Sequence, residues 1–230
     1  MKKILIFGAG SDLICELINT ISLANNDVSI TFISSSLSTK RKFKFLQCKN
    51  NFIHINYKNN FEKQLSKILK NQKFDDIYIP NGYLPTANSL AEIRKSLFIN
   101  YFIPYRIINS IIKYHKNQHV RVVSFSSPAS DRPRKSNFVY GSHKAMLDFA
   151  IEGLRMLYPN ITFVIVKPGP TETKMTKNLL GFKHNKIKVA KSLYWQLHLG
   201  MRNIYAPFYW KLIMIIIKLI PNKIFRFLNL

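Results

Sequence analysis

The chain is poor in cysteine, and its acidic residues stop early. Only Cys15 and Cys48 occur among 230 residues, so we expect reduced thiols and a cytoplasmic, reducing compartment. Neither cysteine has partners at metal-binding spacing, so no metal site is predicted. Glu172 is the last acidic residue, and the final 58 residues carry eleven Lys or Arg without a carboxylate. The C-terminal segment is therefore the part of the chain expected to face an anionic partner.

Long apolar runs are also scarce. Ile4–Phe7, after the two N-terminal lysines, is too short for a signal peptide and is predicted to be a strand. Residues 204–221 are the most apolar stretch, but Lys211 and Lys218 interrupt them, and a spanning helix needs about 20 apolar residues. Two interpretations stay open: a helix in the interface of an anionic membrane with Trp210 at headgroup level, or a helix packed on the core.

Positive charge dominates the composition. Lys and Arg number 35 against 11 Asp and Glu, a net charge of +24, so nucleic acid, anionic lipid and phosphorylated substrates all qualify as partners. The length suits one α/β domain, and no linker or repeat divides it. We therefore predict a domain over residues 1–203 and an apolar, basic tail over residues 204–230.

The first segment has the pattern strand, glycine turn, helix. Ile4–Phe7 is closed by Gly8-Ala9-Gly10-Ser11-Asp12, and apolar residues recur at helical spacing from Leu13 onward. Such a turn lets backbone amides and a helix N-terminus approach a pyrophosphate. Asp12 is predicted to cap this helix.

A second strand, Val28–Ile33, is followed by cations and no carboxylate. An acidic residue here would bind a ribose 2′-hydroxyl, whereas Lys or Arg suits a 2′-phosphate. Lys40 and Arg41 therefore favour NADP(H), with NAD(H) left open.

Strands and helices continue to alternate. The predicted strands are Phe52–Asn56, Ile77–Ile79, Val120–Ser126, Ile161–Val166 and Asn203–Tyr205, and the predicted helices are Phe61–Lys70, Ser96–Tyr114 and one from Phe138 onward. This alternation indicates an α/β fold, a doubly wound parallel sheet of Rossmann type, with a C-terminal amphipathic helical tail.

Three chemically useful side chains follow the strand that begins at Val120. Ser127 stands at the strand's carboxyl end, where open α/β sheets bind ligands. Tyr140 and Lys144 are four residues apart and share a helix face, so the ammonium is expected to lower the pKa of the phenol. By itself, Tyr-x-x-x-Lys is also typical of a helix with one buried aromatic residue and one solvated lysine.

Ser127, Tyr140 thirteen residues later and Lys144 together resemble the short-chain dehydrogenase/reductase family, and further features in the family's order extend the resemblance over nearly the whole chain. The resemblance implies an NAD(P)-dependent oxidoreductase. It implies Tyr140 as proton donor, Ser127 as carbonyl polariser and Lys144 as ribose binder. Asn100, in Phe-Ile-Asn-Tyr-Phe, would be the fourth catalytic residue, a relay that holds a water linking Lys144 to solvent.

The resemblance also implies a cofactor site. Besides Tyr140 and Lys144, the expected cofactor-binding residues are Gly8, Gly10, Ser11, Asp12, Leu13, Ser35, Lys40, Arg41, Asn56, Asn81, Gly82, Pro168, Gly169, Thr171 and Thr173. The chain departs from the family pattern at Asp12 and Ile14, which replace glycines, and at Asn56, which replaces an aspartate that faces the adenine.

The motif from Asp131 to Lys144, Asp-Arg-x-Arg-x-Ser-Asn-x-x-Tyr-Gly-Ser-x-Lys, resembles the branch that contains decaprenylphosphoryl-2-keto-ribose reductase. That resemblance implies a keto-sugar on a polyprenyl phosphate, in the synthesis of a cell-surface glycan precursor, with Arg132, Arg134 and Lys135 near the substrate phosphate. It argues against a nucleic-acid partner.

Two other functions stay open: a reductase of lipid or acyl ketones, and a non-catalytic protein that binds a dinucleotide or nucleic acid. In the resembling family the C-terminal segment often packs on the core, covers the substrate cleft or forms a subunit interface. A homo-oligomer and attachment to the inner face of the cytoplasmic membrane are therefore both expectations for the tail.

Overall fold

Seven strands form the frame on which the candidate site is built. The computed structural model describes residues 1–25, 27–36, 39, 43, 46, 48–57, 60–178 and 181–228. The strands are β1 (Lys2–Phe7), β2 (Val28–Ser34), β3 (Lys49–His54), β4 (Asp76–Ile79), β5 (Val120–Phe125), β6 (Ile161–Pro168) and β7 (Asn203–Ala206).

Helices connect the strands. They are α1 (Asp12–Ala24), α2 (Phe61–Asn71), α3 (Leu90–Leu97), α4 (Ile103–His115), α5 (Phe138–Leu157), α6 (Lys186–His198), α7 (Trp210–Leu219) and α8 (Asn222–Phe225). A π-helical turn, Phe98–Phe102, joins α3 to α4, and short 3₁₀ turns cover Pro128–Ser130 and Lys174–Thr176.

All strand pairs are parallel, in the order β3-β2-β1-β4-β5-β6-β7. Ile4 of β1 lies opposite Ile30 of β2 on one side and Asp76 of β4 on the other. The strand order reverses between β1 and β4, which is the place where such sheets bind ligands. The predicted doubly wound α/β fold is confirmed.

Apolar layers cover both faces of the sheet, as a parallel sheet requires. On one face α1 and α6 pack through side chains such as Leu17 and Leu193. On the other face α2, α4 and α5 contribute Leu65, Ile107 and Leu147. The strands are consequently held from both sides, and their carboxyl ends form a rigid edge.

The structure differs from the prediction at β3, which covers Lys49–His54 instead of Phe52–Asn56. Lys49, Asn50 and Asn51 are exposed because β3 is the edge strand, so its start carries no apolar signal. The helix predicted to begin at Ser96 begins at Leu90. Ser89 caps it by accepting a hydrogen bond from the Glu92 amide at 3.3 Å, and this Ser-x-x-Glu spacing is a capping signal.

β7 pairs with β6 through Asn203–Ala206, so the sheet extends into the first residues of the predicted tail, 204–230. Met214 and Ile217 of α7 are buried, whereas Leu212, Ile216 and Leu219 on its opposite side are exposed. This helix therefore packs on the core with one face and leaves an apolar face outside. Within the described part of the chain, no helix combines the length and apolar character needed to cross a bilayer.

Two glycines of α5 provide a matched test of the fold around the site. A Cβ on Gly141 would lie 2.4 Å from the carbonyl oxygen of Ala129, whereas a Cβ on Gly153 would have nothing within 4 Å. We expect Gly153→Ala to raise the free energy of unfolding by about 0.5–1 kcal/mol, since alanine is the better helix former. Gly141→Ala should lower it by about 1–3 kcal/mol, because α5 must move away from the turn after β5. Urea unfolding measures both values, and equal stabilities would contradict the close approach.

Candidate active site

A cavity of about 180 Å³ lies at the carboxyl ends of the central strands. It collects side chains from the first turn, the segments after β4 and β5, the start of α5, the loop after β6 and the first residue of α7. The predicted site residues that line it are Ser11, Leu13, Asn81, Gly82, Ser127, Arg134, Tyr140, Lys144, Pro168, Gly169, Thr171 and Thr173. The sheet thus brings together residues far apart in the sequence.

Ser127 follows β5 in an extended conformation and starts the 3₁₀ turn. Its Oγ accepts a hydrogen bond from the Ala129 amide at 3.2 Å, which fixes the hydroxyl at the cavity wall. Its hydroxyl is also near enough to the phenol of Tyr140 to influence the pKa of that phenol. Both residues line the cavity, so a carbonyl oxygen bound there can approach both hydroxyls.

The surroundings of Tyr140 favour its protonated form. Burial raises the pKa of its phenol to about 12, and the neighbouring hydroxyl of Ser127 opposes that rise. The expected lowering of this pKa by Lys144 is not found, because the ammonium lies 5.9 Å from the ring centre and is turned towards backbone carbonyls. At neutral pH Tyr140 is consequently a proton donor rather than a phenolate.

Lys144 is a buried cation that joins two strand ends. Its Nζ donates to the carbonyl oxygen of Asn81, after β4, at 2.7 Å and to that of Phe125, at the end of β5, at 2.8 Å. Burial lowers its pKa to about 8, and the carboxylate of Asp148 opposes this shift. The ammonium is still mostly charged at neutral pH, close beneath Tyr140.

Asn100 sits in the π-helical turn and is fully buried, outside the cavity lining. Its side chain accepts from the Tyr83 amide at 2.9 Å and donates to the Tyr83 carbonyl at 2.7 Å. It also donates to Ser96, whose hydroxyl bonds His143 of α5 at 2.9 Å. Asn100 thus holds the backbone just after Asn81, whose carbonyl receives the Lys144 ammonium.

The first turn forms the opposite wall of the cavity. Gly8 has a φ of 59°, a left-handed conformation that favours glycine. Ser11, not Asp12, is the N-cap residue of α1. Asp12 instead accepts a hydrogen bond from the Lys174 amide at 2.9 Å, so it ties α1 to the loop after β6. The predicted capping role of Asp12 is therefore wrong.

The side-chain oxygen of Asn81 is buried and has no hydrogen-bond partner among the described residues. It lies near Gly8, where a Cβ would be 3.8 Å away. An unsatisfied acceptor, a glycine turn and a helix N-terminus meet at this wall, which suits a ligand with both donor and anionic groups.

The tail supplies a wall that the sequence did not reveal. A Cβ on Gly169 would lie 2.2 Å from Nε1 of Trp210, so the indole rests directly on this glycine. The same nitrogen donates to His184 at 2.8 Å. Trp210 therefore lines the cavity. Asn137 and Met175 also line the cavity, and neither was predicted from the sequence.

Several predicted residues lie away from the cavity. Arg132 is buried against the tail: it donates to the Ile217 carbonyl and to Asn222, and stacks on Phe225 at 3.8 Å. Its assignment to the substrate is therefore corrected to anchoring the tail. Lys135 is exposed and does not line the cavity.

Five further predicted cofactor residues are absent from the cavity lining. Ser35 and Asn56 are exposed after β2 and β3. Gly8, Gly10 and Asp12 belong to the first turn and the start of α1 but are not among the residues that line the cavity. Lys40 and Arg41 lie outside the described residues, so their predicted role stays a prediction.

Comparison with known proteins agrees with this geometry. The family model described as short chain dehydrogenase matches residues 79–183. The short-chain dehydrogenase from Sphingobium yanoikuyae in complex with NADPH has a TM-score of 0.78 at 13% identity, over 96% of this chain and 97% of that chain. The bulky-bulky ketone specific alcohol dehydrogenase from Comamonas testosteroni has a TM-score of 0.78 at 14% identity, over 96% of each chain.

A third structure, a short chain dehydrogenase from Burkholderia cenocepacia J2315 in complex with NADP, has a TM-score of 0.74 at 15% identity and covers 96% of this chain and 100% of that chain. At such identities the likeness of the structures shows the fold.

The whole chain has the fold of the solved short-chain dehydrogenases, and the matched segment carries the candidate catalytic side chains. Residues 79–183 contain Asn100, Ser127, Tyr140 and Lys144. This segment is similar to short chain dehydrogenases, and the side chains that it brings to the cavity are those expected of an NAD(P)-dependent oxidoreductase.

Proposed function

We propose that the protein reduces a ketone to an alcohol with NADPH. The observation that carries this proposal is the Ser127–Tyr140 pair of hydroxyls at the cavity wall, with the Tyr140 phenol protonated at neutral pH. A bound cofactor would supply hydride to a carbonyl carbon. Ser127 would then stabilise the negative charge that develops on the carbonyl oxygen, and Tyr140 would donate a proton to it.

NADP(H) is the proposed cofactor, with NAD(H) as the alternative. The Gly8 turn, the N-terminus of α1 and the unsatisfied Asn81 oxygen suit the nucleotide part, and Lys144 lies where it can hold the nicotinamide ribose. Resembling proteins from Sphingobium yanoikuyae and Burkholderia cenocepacia are in complex with NADPH and NADP, which supports the choice.

Tyr140→Phe tests the reaction. Loss of the phenol proton should lower the rate of NADPH oxidation with a responsive ketone by about 10²–10⁴-fold, the usual contribution of a general acid. NADPH binding, followed by cofactor fluorescence, should survive because the ring is retained. Tyr105→Phe, in α4 and outside the cavity lining, serves as the control. A Tyr140→Phe enzyme as fast as the parent would overturn the proposal.

The second prediction concerns cofactor preference. Lys40 and Arg41 are proposed to bind the 2′-phosphate that distinguishes NADPH from NADH. Replacing them by Asp and Ser should weaken NADPH binding about tenfold or more, the scale of a charge-assisted hydrogen bond, and leave NADH binding nearly unchanged. Titrations of both cofactors measure this, and equal losses for the two would contradict the assignment.

For the substrate we propose a keto-sugar carried on a polyprenyl phosphate, in the synthesis of a cell-surface glycan precursor. Support comes from the motif between Asp131 and Lys144, and from a cavity that combines apolar walls, such as Leu84 and Met175, with the cation Arg134. The alternative is a lipid or acyl ketone. In a panel of ketones, turnover of acyl ketones above keto-sugar phosphates would favour the alternative.

Peripheral attachment to the inner face of the cytoplasmic membrane is part of the same proposal. The exposed face of α7, Leu212, Ile216 and Leu219, is apolar and lies opposite the buried Met214 and Ile217. Helix geometry puts Lys211 and Lys218 along one border of that face. An apolar face bordered by cations, on a tail without carboxylates, suits an anionic lipid surface. Because α7 also walls the cavity through Trp210, attachment there would bring a lipid-linked substrate close to Tyr140.

Sedimentation with vesicles of phosphatidylglycerol and phosphatidylcholine tests the attachment. At low salt the parent should pellet, and Leu212→Ser with Ile216→Ser should lower its partition coefficient about tenfold or more, as expected for two lost apolar side chains. Phe149→Ser with Met156→Ser removes two exposed apolar residues of α5 and is the control. Membrane attachment would be overturned if the parent stays in the supernatant or if both double substitutions lower the partition coefficient equally. It would also be overturned if the parent is a dimer that only the α7 double substitution dissociates, because the apolar face would then be a subunit interface.

A further inference from the structure

Arg134 brings to the cavity a guanidinium that has no oxygen partner among the described residues. Its side chain is half-buried and lines the cavity, as Tyr140 does. Its Nε is buried and has no acceptor among the residues that the structure describes. Its Nη2 lies 3.5 Å from the sulfur of Met214, and a thioether is only a weak acceptor. Guanidinium donors are rarely left in this state.

The nearby carboxylate is already occupied. Asp131 accepts from Lys167 Nζ at 2.8 Å and from the Tyr205 hydroxyl at 2.7 Å, and it pairs with Lys218 at 3.1 Å. Burial lowers the pKa of Arg134, and Asp131 offsets this only in part. No Asp or Glu is present among the described residues that line the cavity. Arg134 therefore lines the cavity as a cation that forms no salt bridge with a carboxylate of the described residues.

The other cation of the cavity wall differs from Arg134. The Lys144 ammonium is bonded to two backbone carbonyls, so its charge is already compensated by protein dipoles. The neighbours of Arg134 in sequence are also different, because Arg132 anchors the tail and Lys135 is exposed. Of the three cations in this segment, only Arg134 lines the cavity.

Asn137 adds a second unsatisfied group. It is the residue before α5, yet its side chain does not cap the helix. Its Oδ1 is buried and, within the described residues, accepts no hydrogen bond. The residue lines the cavity three positions before Tyr140, as Arg134 does six positions before it. Both groups therefore lie near the N-terminus of α5, which is the positive end of its dipole.

We propose that Arg134 and Asn137 form a subsite that binds an oxyanion of the substrate, a phosphate or a carboxylate, beside Tyr140. The proposal rests on the proposed reduction of a ketone. A planar guanidinium binds either group through two parallel hydrogen bonds. These bonds would give Nε and one terminal nitrogen of Arg134 the acceptors that they lack among the described residues. The Asn137 amide can donate a further bond to the same anion. The subsite would therefore select anionic ketones over neutral ones of equal size.

Arg134→Gln, with Lys135→Gln as the matched control, tests the subsite. Two pairs of ketones serve as probes: dihydroxyacetone phosphate with dihydroxyacetone, and levulinate with its methyl ester. Removing Arg134 should raise KM about 10- to 100-fold for an anionic ketone, the scale of a charged hydrogen bond, and less than about threefold for its neutral partner. Lys135→Gln should change neither. The anionic ketone whose KM rises more, dihydroxyacetone phosphate or levulinate, identifies phosphate or carboxylate as the preferred anion.

Equal changes for anionic and neutral ketones would overturn the subsite while leaving ketone reduction in place. If the parent reduces no ketone, the proposed function fails, and anion binding is then decided separately. Trp195 is exposed, so Trp195→Phe leaves Trp210 of the cavity wall as the reporting fluorophore. Inorganic phosphate, added to the protein saturated with NADP, should change this fluorescence. Arg134→Gln should weaken that response about tenfold or more. An unchanged response in this variant would overturn the subsite.

Discussion

The buried ammonium of Lys144 is the interaction on which the site depends. It bonds the carbonyls of Asn81 and Phe125, and so fixes the distance between the ends of β4 and β5. Taking a charge out of water is costly unless hydrogen bonds replace the lost hydration. The two carbonyls supply those bonds only if both strand ends keep their positions. The fold and the charge are therefore mutually dependent: the sheet brings the carbonyls together, and the ammonium holds them there.

Two contacts keep this arrangement rigid from behind. The side chain of Asn100 forms two hydrogen bonds with the backbone of Tyr83 and so positions the segment that carries the Asn81 carbonyl. Gly141 lets α5 approach the turn at Ala129 so closely that Tyr140 meets Ser127. Neither contact involves a reacting atom. Both decide whether the hydroxyl pair exists, because a shift of α5 away from the turn would separate the two oxygens.

The C-terminal tail belongs to the site as much as the sheet does. Arg132 and Lys218 fasten α7 to the segment before α5, and Trp210 closes the cavity over Gly169. The same helix leaves an apolar face outside. One element thus faces the cavity on its inner side and the surroundings on its outer side. The proposal of a lipid-linked substrate rests on this arrangement.

The sequence by itself determined the alternation of strands and helices, the glycine turn and the trio Ser127, Tyr140 and Lys144, because these features are encoded in local periodicity and fixed spacing. Other features depend on direction and burial, which spacing does not encode. Arg132 and Arg134 are two residues apart, yet only Arg134 lines the cavity. The location of Trp210 was ambiguous in the sequence, because an amphipathic helix has the same residue pattern whether it lies on a membrane or packs on a protein core. The pKa of Tyr140 rises to about 12 because burial outweighs a cation that is turned elsewhere. Only tertiary packing decides which polar groups are desolvated, and desolvation sets their chemistry.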